Sequence, residues 1–98
     1  MKFHEKDIVI YEKNGIKQGL IFSSDEENSK LDTVIIVPIL TIFQNNTSSN
    51  IIKIPKRATL ENDINILIDE IEIVPQNQIH EKIAQLTNEE FDLVISHL

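Results

Sequence analysis

The 98-residue chain contains no cysteine. That absence excludes a disulfide framework, a cysteine-ligated zinc or iron–sulfur site, and a thiol nucleophile. Tryptophan is also missing, glycine occurs twice, and Arg57 is the single arginine. So few glycines leave no glycine-rich phosphate loop, and neither an HExxH pair nor a nucleophile elbow is present. Long hydrophobic runs are lacking too. The longest, Val34 to Leu40, is interrupted by Pro38 and falls far short of the roughly 20 residues that cross a bilayer, so no membrane span is expected. The opening MKFHEKDIVIY places Glu5, Lys6 and Asp7 where a signal peptide would need an apolar core, and a cytoplasmic location is the expectation.

What is present suits one small domain over residues 1–98. The 41% of hydrophobic residues can form a core, yet a domain this small has little surplus stability, and a partner subunit is a reasonable expectation. The formal charge of -7 is unevenly spread. Residues 1–57 hold 8 bases and 7 acids, whereas residues 58–98 hold 9 acids and only Lys82 as a base. A polyanion would be repelled by the acidic tail, so any nucleic-acid contact belongs to the near-neutral first half, where Lys53, Lys56 and Arg57 cluster. Such a cluster is more often a solvated strand end than a functional basic patch.

Strand-forming segments dominate the first three quarters. Asp7 to Tyr11 is rich in β-branched and aromatic residues and runs into Glu12, Lys13, Asn14 and Gly15, a hairpin-type turn in which glycine accepts positive φ. IKQGLIFS resumes as a strand, with Gly19 marking a bulge, a close approach or a tolerated glycine. Ser24 to Asp32 is polar without periodicity and reads as a loop. TVIIVPILTIF reads as a central strand covered on both faces, with Pro38 at a bulge or at the end of pairing. A second polar loop, Gln44 to Asn50, precedes the short strand IIKIP. INILIDEIEIV then gives an extended region with Ile64, Ile66 and Ile68 on one face, a register change near Asp69, and Ile71 and Ile73 on one face beyond it.

Past Pro75 the period changes. Ile79, Ile83 and Leu86 suggest one side of a short helix between Gln76 and Leu86. Thr87 and Glu90 form a capping box, and Phe91, Val94, Ile95 and Leu98 form the apolar stripe of a last helix. About five strands followed by helices predict a mainly β fold, a small curved β-barrel or half-barrel closed by a helix.

The chemical inventory is sparse. His4, His80 and His97 would have to converge to hold a metal, and neither metal nor cofactor is expected. Asp69, Glu70 and Glu72 read more readily as a solvated edge than as a catalytic pair. Metal-free ribonuclease chemistry needs a base for the ribose 2′-OH, donors that stabilise the phosphorane, and an acid for the leaving 5′-oxygen. Lys17, Thr41, Arg57 and His4 are the candidate groups.

The order of segments resembles the MazF/PemK (Kid) family of toxin endoribonucleases across nearly the whole chain. The likeness is strongest in DTVIIVPILT and in IPKRATLENDINILIDEIEIVPQNQIHEKIAQLTNEEFDLV. It implies an SH3-like β-barrel of the CcdB/PemK toxin type, a homodimer, an antitoxin peptide as partner and single-stranded RNA as substrate. The family motif Gly-x-Arg-Pro corresponds to Gly15, Ile16, Lys17 and Gln18, so Lys17 takes the place of the catalytic arginine, keeping its charge without the guanidinium fork. Thr41 lies one residue beyond the family's catalytic threonine position. By the same resemblance Gln18, Ser23, Lys53, Lys56 and Arg57 are the RNA-binding candidates. The alternative is a catalytically inactive member acting as a protein-binding or regulatory module.

Overall fold

A computed structural model describes residues 3–40, 51–56 and 62–97. Thr41, Arg57, Leu98 and the predicted loop at Gln44 to Asn50 lie outside the described residues. In chain order the elements are β1 (Asp7–Glu12), β2 (Ile16–Ile21), α1 (Asp25–Lys30), β3 (Thr33–Leu40), β4 (Ile51–Ile54), β5 (Ile64–Leu67), β6 (Glu72–Pro75), a 3-10 turn (Gln76–Gln78), β7 (Ile79–Gln85) and α2 (Asn88–Ser96).

All seven strands belong to one antiparallel sheet in the order β4-β5-β3-β2-β1-β7, with β6 also pairing β3. The expected SH3-like barrel is not formed. Among the described residues the end strands β4 and β7 each pair with one neighbour only, so the ladder stays open. Within this open sheet, side chains of the β1–β2 hairpin contact β6, through Tyr11 and Lys17 to Glu72. The two helices also differ from the expectation in placement, since one is internal and one terminal.

The hairpin follows the sequence closely. Residues 13–15 connect β1 to β2 with Asn14 at φ 56° and Gly15 at φ 109°, the left-handed conformations that asparagine and glycine accept at lowest cost. Strand β3 is buried on both faces, as its composition predicts. Val34 and Ile36 join Val9, Tyr11, Ile21, Val74 and Ile79 in one core cluster. On the opposite face Val37 and Ile39 join Ile8, Leu20, Ile66 and the α2 residues Phe91 and Val94 in another.

Pro38 sits opposite Gly19 in an unbroken β2–β3 register. Ile35 directs its amide and carbonyl towards the β2 side, to Ser23 and Phe22, so by the period of two Pro38 faces the other edge. There β3 pairs β6 through residue 36 and β5 from residue 39, and the missing proline amide falls in the gap between those partners.

Two segments differ from their sequence reading. Ser24 to Asp32 contains the short helix α1, begun by a capping box in which Ser24 Oγ accepts from the Glu27 amide and the Glu27 carboxylate accepts from the Ser24 amide, both at 3.2 Å. The predicted helix between Gln76 and Leu86 is instead the 3-10 turn and β7, which places His80 on a strand. The cause is a pair of register shifts: β1 moves three residues from Tyr11 to Ile8 while β7 moves five from Ile79 to Ala84. Two extra residues break the period of two and leave a helix-like spacing of isoleucines. Helix α2 keeps its predicted capping box, with Glu90 N donating to Thr87 Oγ1 at 3.1 Å and Thr87 N donating to Glu90 Oε1 at 2.9 Å.

Gly19 is a site of close approach. A Cβ there would lie 2.3 Å from Ile36 Cγ2 and 2.8 Å from Tyr11 Cε1. Gly19→Ala is therefore expected to lose about 1–3 kcal/mol of stability through overpacking, read as a lowered urea midpoint. A midpoint equal to wild type would show that the Tyr11 ring is not held against this backbone. Thr87→Ala should cost about 1 kcal/mol by removing the α2 cap.

Candidate functional site

Lys17 and Gly19 alternate on one face of β2, and the antiparallel register puts Tyr11 directly across from Lys17. With no side chain at Gly19, the Tyr11 ring lies along that face, fully buried, and its hydroxyl reaches β6. There Tyr11 Oη donates to Glu72 Oε2 at 2.8 Å, and Lys17 Nζ donates to Glu72 Oε1 at 3.2 Å. Both oxygens of one carboxylate are thus occupied by residues from the neighbouring hairpin. Lys13 adds a longer contact, Nζ to the Ile73 carbonyl at 3.4 Å.

The Lys17 and Glu72 side chains are 36% and 21% exposed, so the pair is screened less than an ordinary surface bridge but stays in reach of solvent. Burial pushes the Glu72 carboxyl up. The Tyr11 and Lys17 hydrogen bonds, with the charges of Lys17 and Lys13, outweigh that effect and leave it below the usual carboxylate range. Tyr11 is raised well above an ordinary phenol, first by burial and then by its hydrogen bond to Glu72 and that group's charge. The cluster accordingly holds an ionised carboxylate, which pairs with Lys17, and a protonated phenol.

The other candidates are dispersed. Gln18 lies beside Lys17 in β2 but is registered against Ile10 and Ile39, on the opposite face of the strand. Ser23 is buried; its hydroxyl donates to Asn28 Oδ1 and accepts from the Ile35 amide at 3.0 Å, which ties α1 to the start of β3. Lys53 Nζ lies 3.5 Å from Asp63 Oδ2, and the Lys56 amide donates to Asp63 Oδ1 at 2.7 Å. That amide first, and the Lys53 charge after it, hold the Asp63 carboxyl below its usual range. The three histidines are apart: His4 faces Asp25, His80 faces Glu12, and His97 contacts the Leu93 carbonyl. Among the described residues no group of three or more histidine, cysteine or acidic side chains could hold a metal ion.

Sequence reading passes over Tyr11 and takes Glu72, with Asp69 and Glu70, for a solvated edge. Tyr11 and Glu72 are separated by 61 residues, and only the sheet register brings them together. Buried Asp7 is a second such case, accepting from the His4 amide at 2.8 Å and Gln85 Nε2 at 3.0 Å, with Lys82 Nζ at 3.2 Å. An open polar groove of about 570 Å³ lined by His4, Lys6, Asp25, Gln85, Asn88 and Glu89 holds one candidate group, His4, apart from the Lys17 cluster. Its cation is engaged, since Lys6 Nζ donates to Asn88 Oδ1 at 2.6 Å. No helix among the described residues is long and apolar enough to cross a membrane.

The chain has a single tyrosine, so ultraviolet absorbance of the phenolate reports Tyr11 alone. At pH 11, where a free phenol with a pKa of about 10 is mostly ionised, the folded protein should show far less phenolate than the unfolded chain. Gradual ionisation near pH 10 without unfolding would contradict the burial described. At the acid end the sign is opposite. Glu72 is depressed on folding, so its contribution is fully present above the unfolded pKa of about 4.3 and is lost as pH falls through the lower folded value. Glu72→Gln should flatten that acid limb of the stability curve.

The model of the PemK-like, MazF-like toxins of type II toxin–antitoxin systems matches residues 6–98. Among solved structures, an endoribonuclease in complex with its cognate antitoxin from a mycobacterial species superposes with a TM-score of 0.80 at 15% identity, covering 98% of this chain and 90% of that one. An endoribonuclease from a mycobacterial species gives 0.81 at 14% identity over 100% and 88% of the two chains. The MazE–MazF structure from Deinococcus radiodurans gives 0.76 at 14% identity over 100% and 92%. A search of the curated proteins returns no match. At these identities the superpositions establish the fold, while the family match spans nearly the whole sequence: the chain belongs to the PemK-like, MazF-like toxins of type II toxin–antitoxin systems.

Proposed function

We propose that the chain is the toxin of a toxin–antitoxin pair and acts as a metal-independent endoribonuclease on single-stranded RNA. The observation that carries this reading is the family match over residues 6–98, and the superposition on proteins described as endoribonucleases supports it. In this reading the protein works as a cytoplasmic homodimer and is neutralised by an antitoxin peptide. Lys17 stabilises the negative charge that develops on the phosphorane, and Thr41 positions the phosphate. Gln18, Lys53, Lys56 and Arg57 hold the strand. The Ser23 hydroxyl, with its two intramolecular partners, serves the fold first.

One observation favours the second reading, a catalytically silent member that binds protein. Lys17 is already neutralised by Glu72, and Lys53 by Asp63. The two readings part in one experiment. Purified protein incubated with a long single-stranded RNA in EDTA should cleave it, and Lys17→Ala should lower kcat/KM by about 10²-fold or more, the loss typical of removing a charge-stabilising donor. Absence of cleavage by both proteins at high concentration would overturn the endoribonuclease reading. Light scattering supplies the test of the dimer: a mass that stays near 11.3 kDa at high micromolar concentration would refute it.

A further inference from the structure

We propose that Glu72 limits the affinity of this RNA site: its carboxylate, held by Tyr11, pairs with Lys17 and competes with a phosphodiester for that ammonium. The inference rests on the RNA reading above.

An ordinary surface carboxylate would swing aside when a phosphate arrived, because exposed pairs are held weakly. Glu72 has a second anchor. Its Oε2 accepts from Tyr11 Oη at 2.8 Å, and that phenol is fully buried, with its ring wedged where a Gly19 Cβ would stand. A strand of RNA cannot reach the phenol to replace this bond. Releasing Glu72 would leave a buried hydroxyl without its acceptor, which is costly. The carboxylate therefore stays beside Lys17 Nζ at 3.2 Å.

A phosphate oxygen bound to the same ammonium would then lie about 5 Å from the Glu72 charge, a separation at which like charges still repel appreciably near a protein surface. Lysine has three donor hydrogens, but its charge is already offset by Glu72, so in the wild type it does not count as a full phosphate contact. After allowance for solvent, the expected loss of RNA affinity is about tenfold. The depressed Glu72 carboxyl is consistent with a charge that persists at neutral pH.

The test uses a fluorescein-labelled 2′-O-methyl oligouridylate, which cannot be cleaved through its 2′-oxygen, and reads anisotropy at several potassium chloride concentrations. Glu72→Gln should bind about tenfold more tightly than wild type, with the slope of log K against log salt steeper by about 0.7, the increment of one added phosphate contact to a single strand. Adding Lys17→Ala to that variant should remove both gains. Tyr11→Phe, which releases the anchor and keeps the charge, should give part of the gain and serves if Glu72→Gln does not fold by thermal unfolding. Unchanged affinity and slope in Glu72→Gln, with Lys17→Ala weakening wild-type binding, would overturn the role of Glu72 and leave RNA binding standing. No binding by wild type or Glu72→Gln at low salt would overturn RNA binding itself, and the inference with it.

Discussion

The Tyr11 ring can sit against the backbone of β2 only because Gly19 has no side chain. That vacancy admits Ile36 Cγ2 as well, so one glycine lets strands β1, β2 and β3 pack their side chains closer than any other residue would permit. From this seat the Tyr11 hydroxyl spans to β6 and engages Glu72, which in turn receives Lys17. A buried hydroxyl that lost this acceptor would carry its full desolvation cost, so the apolar packing and the polar contact support each other. The backbone ladder links the hairpin to β6 only through β3, and the contacts to Glu72 add a direct side-chain link between them.

The same cluster couples stability to charge. Ionised Glu72 is favoured by two donors, and protonated Tyr11 by burial and by the neighbouring anion. The pair therefore favours folding through the pH range between the carboxylate and phenol titrations, and each end of that range removes a different member. Lys17, the residue that aligns with a catalytic arginine in the family motif, is one arm of this device. A side chain that helps to hold two elements together is not free to follow a substrate without cost.

Much of the fold was legible because local signals agreed with the tertiary outcome. The Asn14-Gly15 turn, the doubly buried β3 and the Thr87–Glu90 capping box each follow from nearest-neighbour chemistry. Helix α1 was legible in principle, since Ser24 and Glu27 have the same spacing as Thr87 and Glu90, but with no apolar stripe behind it the motif looked like loop. The β7 reading failed for a different reason. Its two register shifts against β1 reproduce a helical spacing by inserting residues into a strand, and no pattern within residues 76–86 reveals the partner that forces them. The closed barrel failed because ladder closure depends on where end strands meet, which composition does not encode. In the site, Lys17 was accessible through a motif, whereas Glu72 looked like one member of an acidic run and Tyr11 like a core aromatic.

The chain's charge is best understood through pairings. Of the bases in the first half, Lys17 is matched by Glu72 and Lys53 by Asp63, so two acids from the second half neutralise two candidate phosphate contacts of the first. Near-neutrality counted along the sequence therefore overstates the positive potential that a polyanion would meet in space. An RNA-binding surface built here must rely on cations beyond these two, or on geometry that keeps the paired lysines useful despite their acids. The difference between Lys17 and arginine matters at that point. A guanidinium has donors on several edges and can hold a carboxylate with one while presenting another to phosphate, whereas an ammonium is a point charge whose field Glu72 largely cancels. With lysine at this position, the acid at residue 72 becomes the local charge on which anion binding turns.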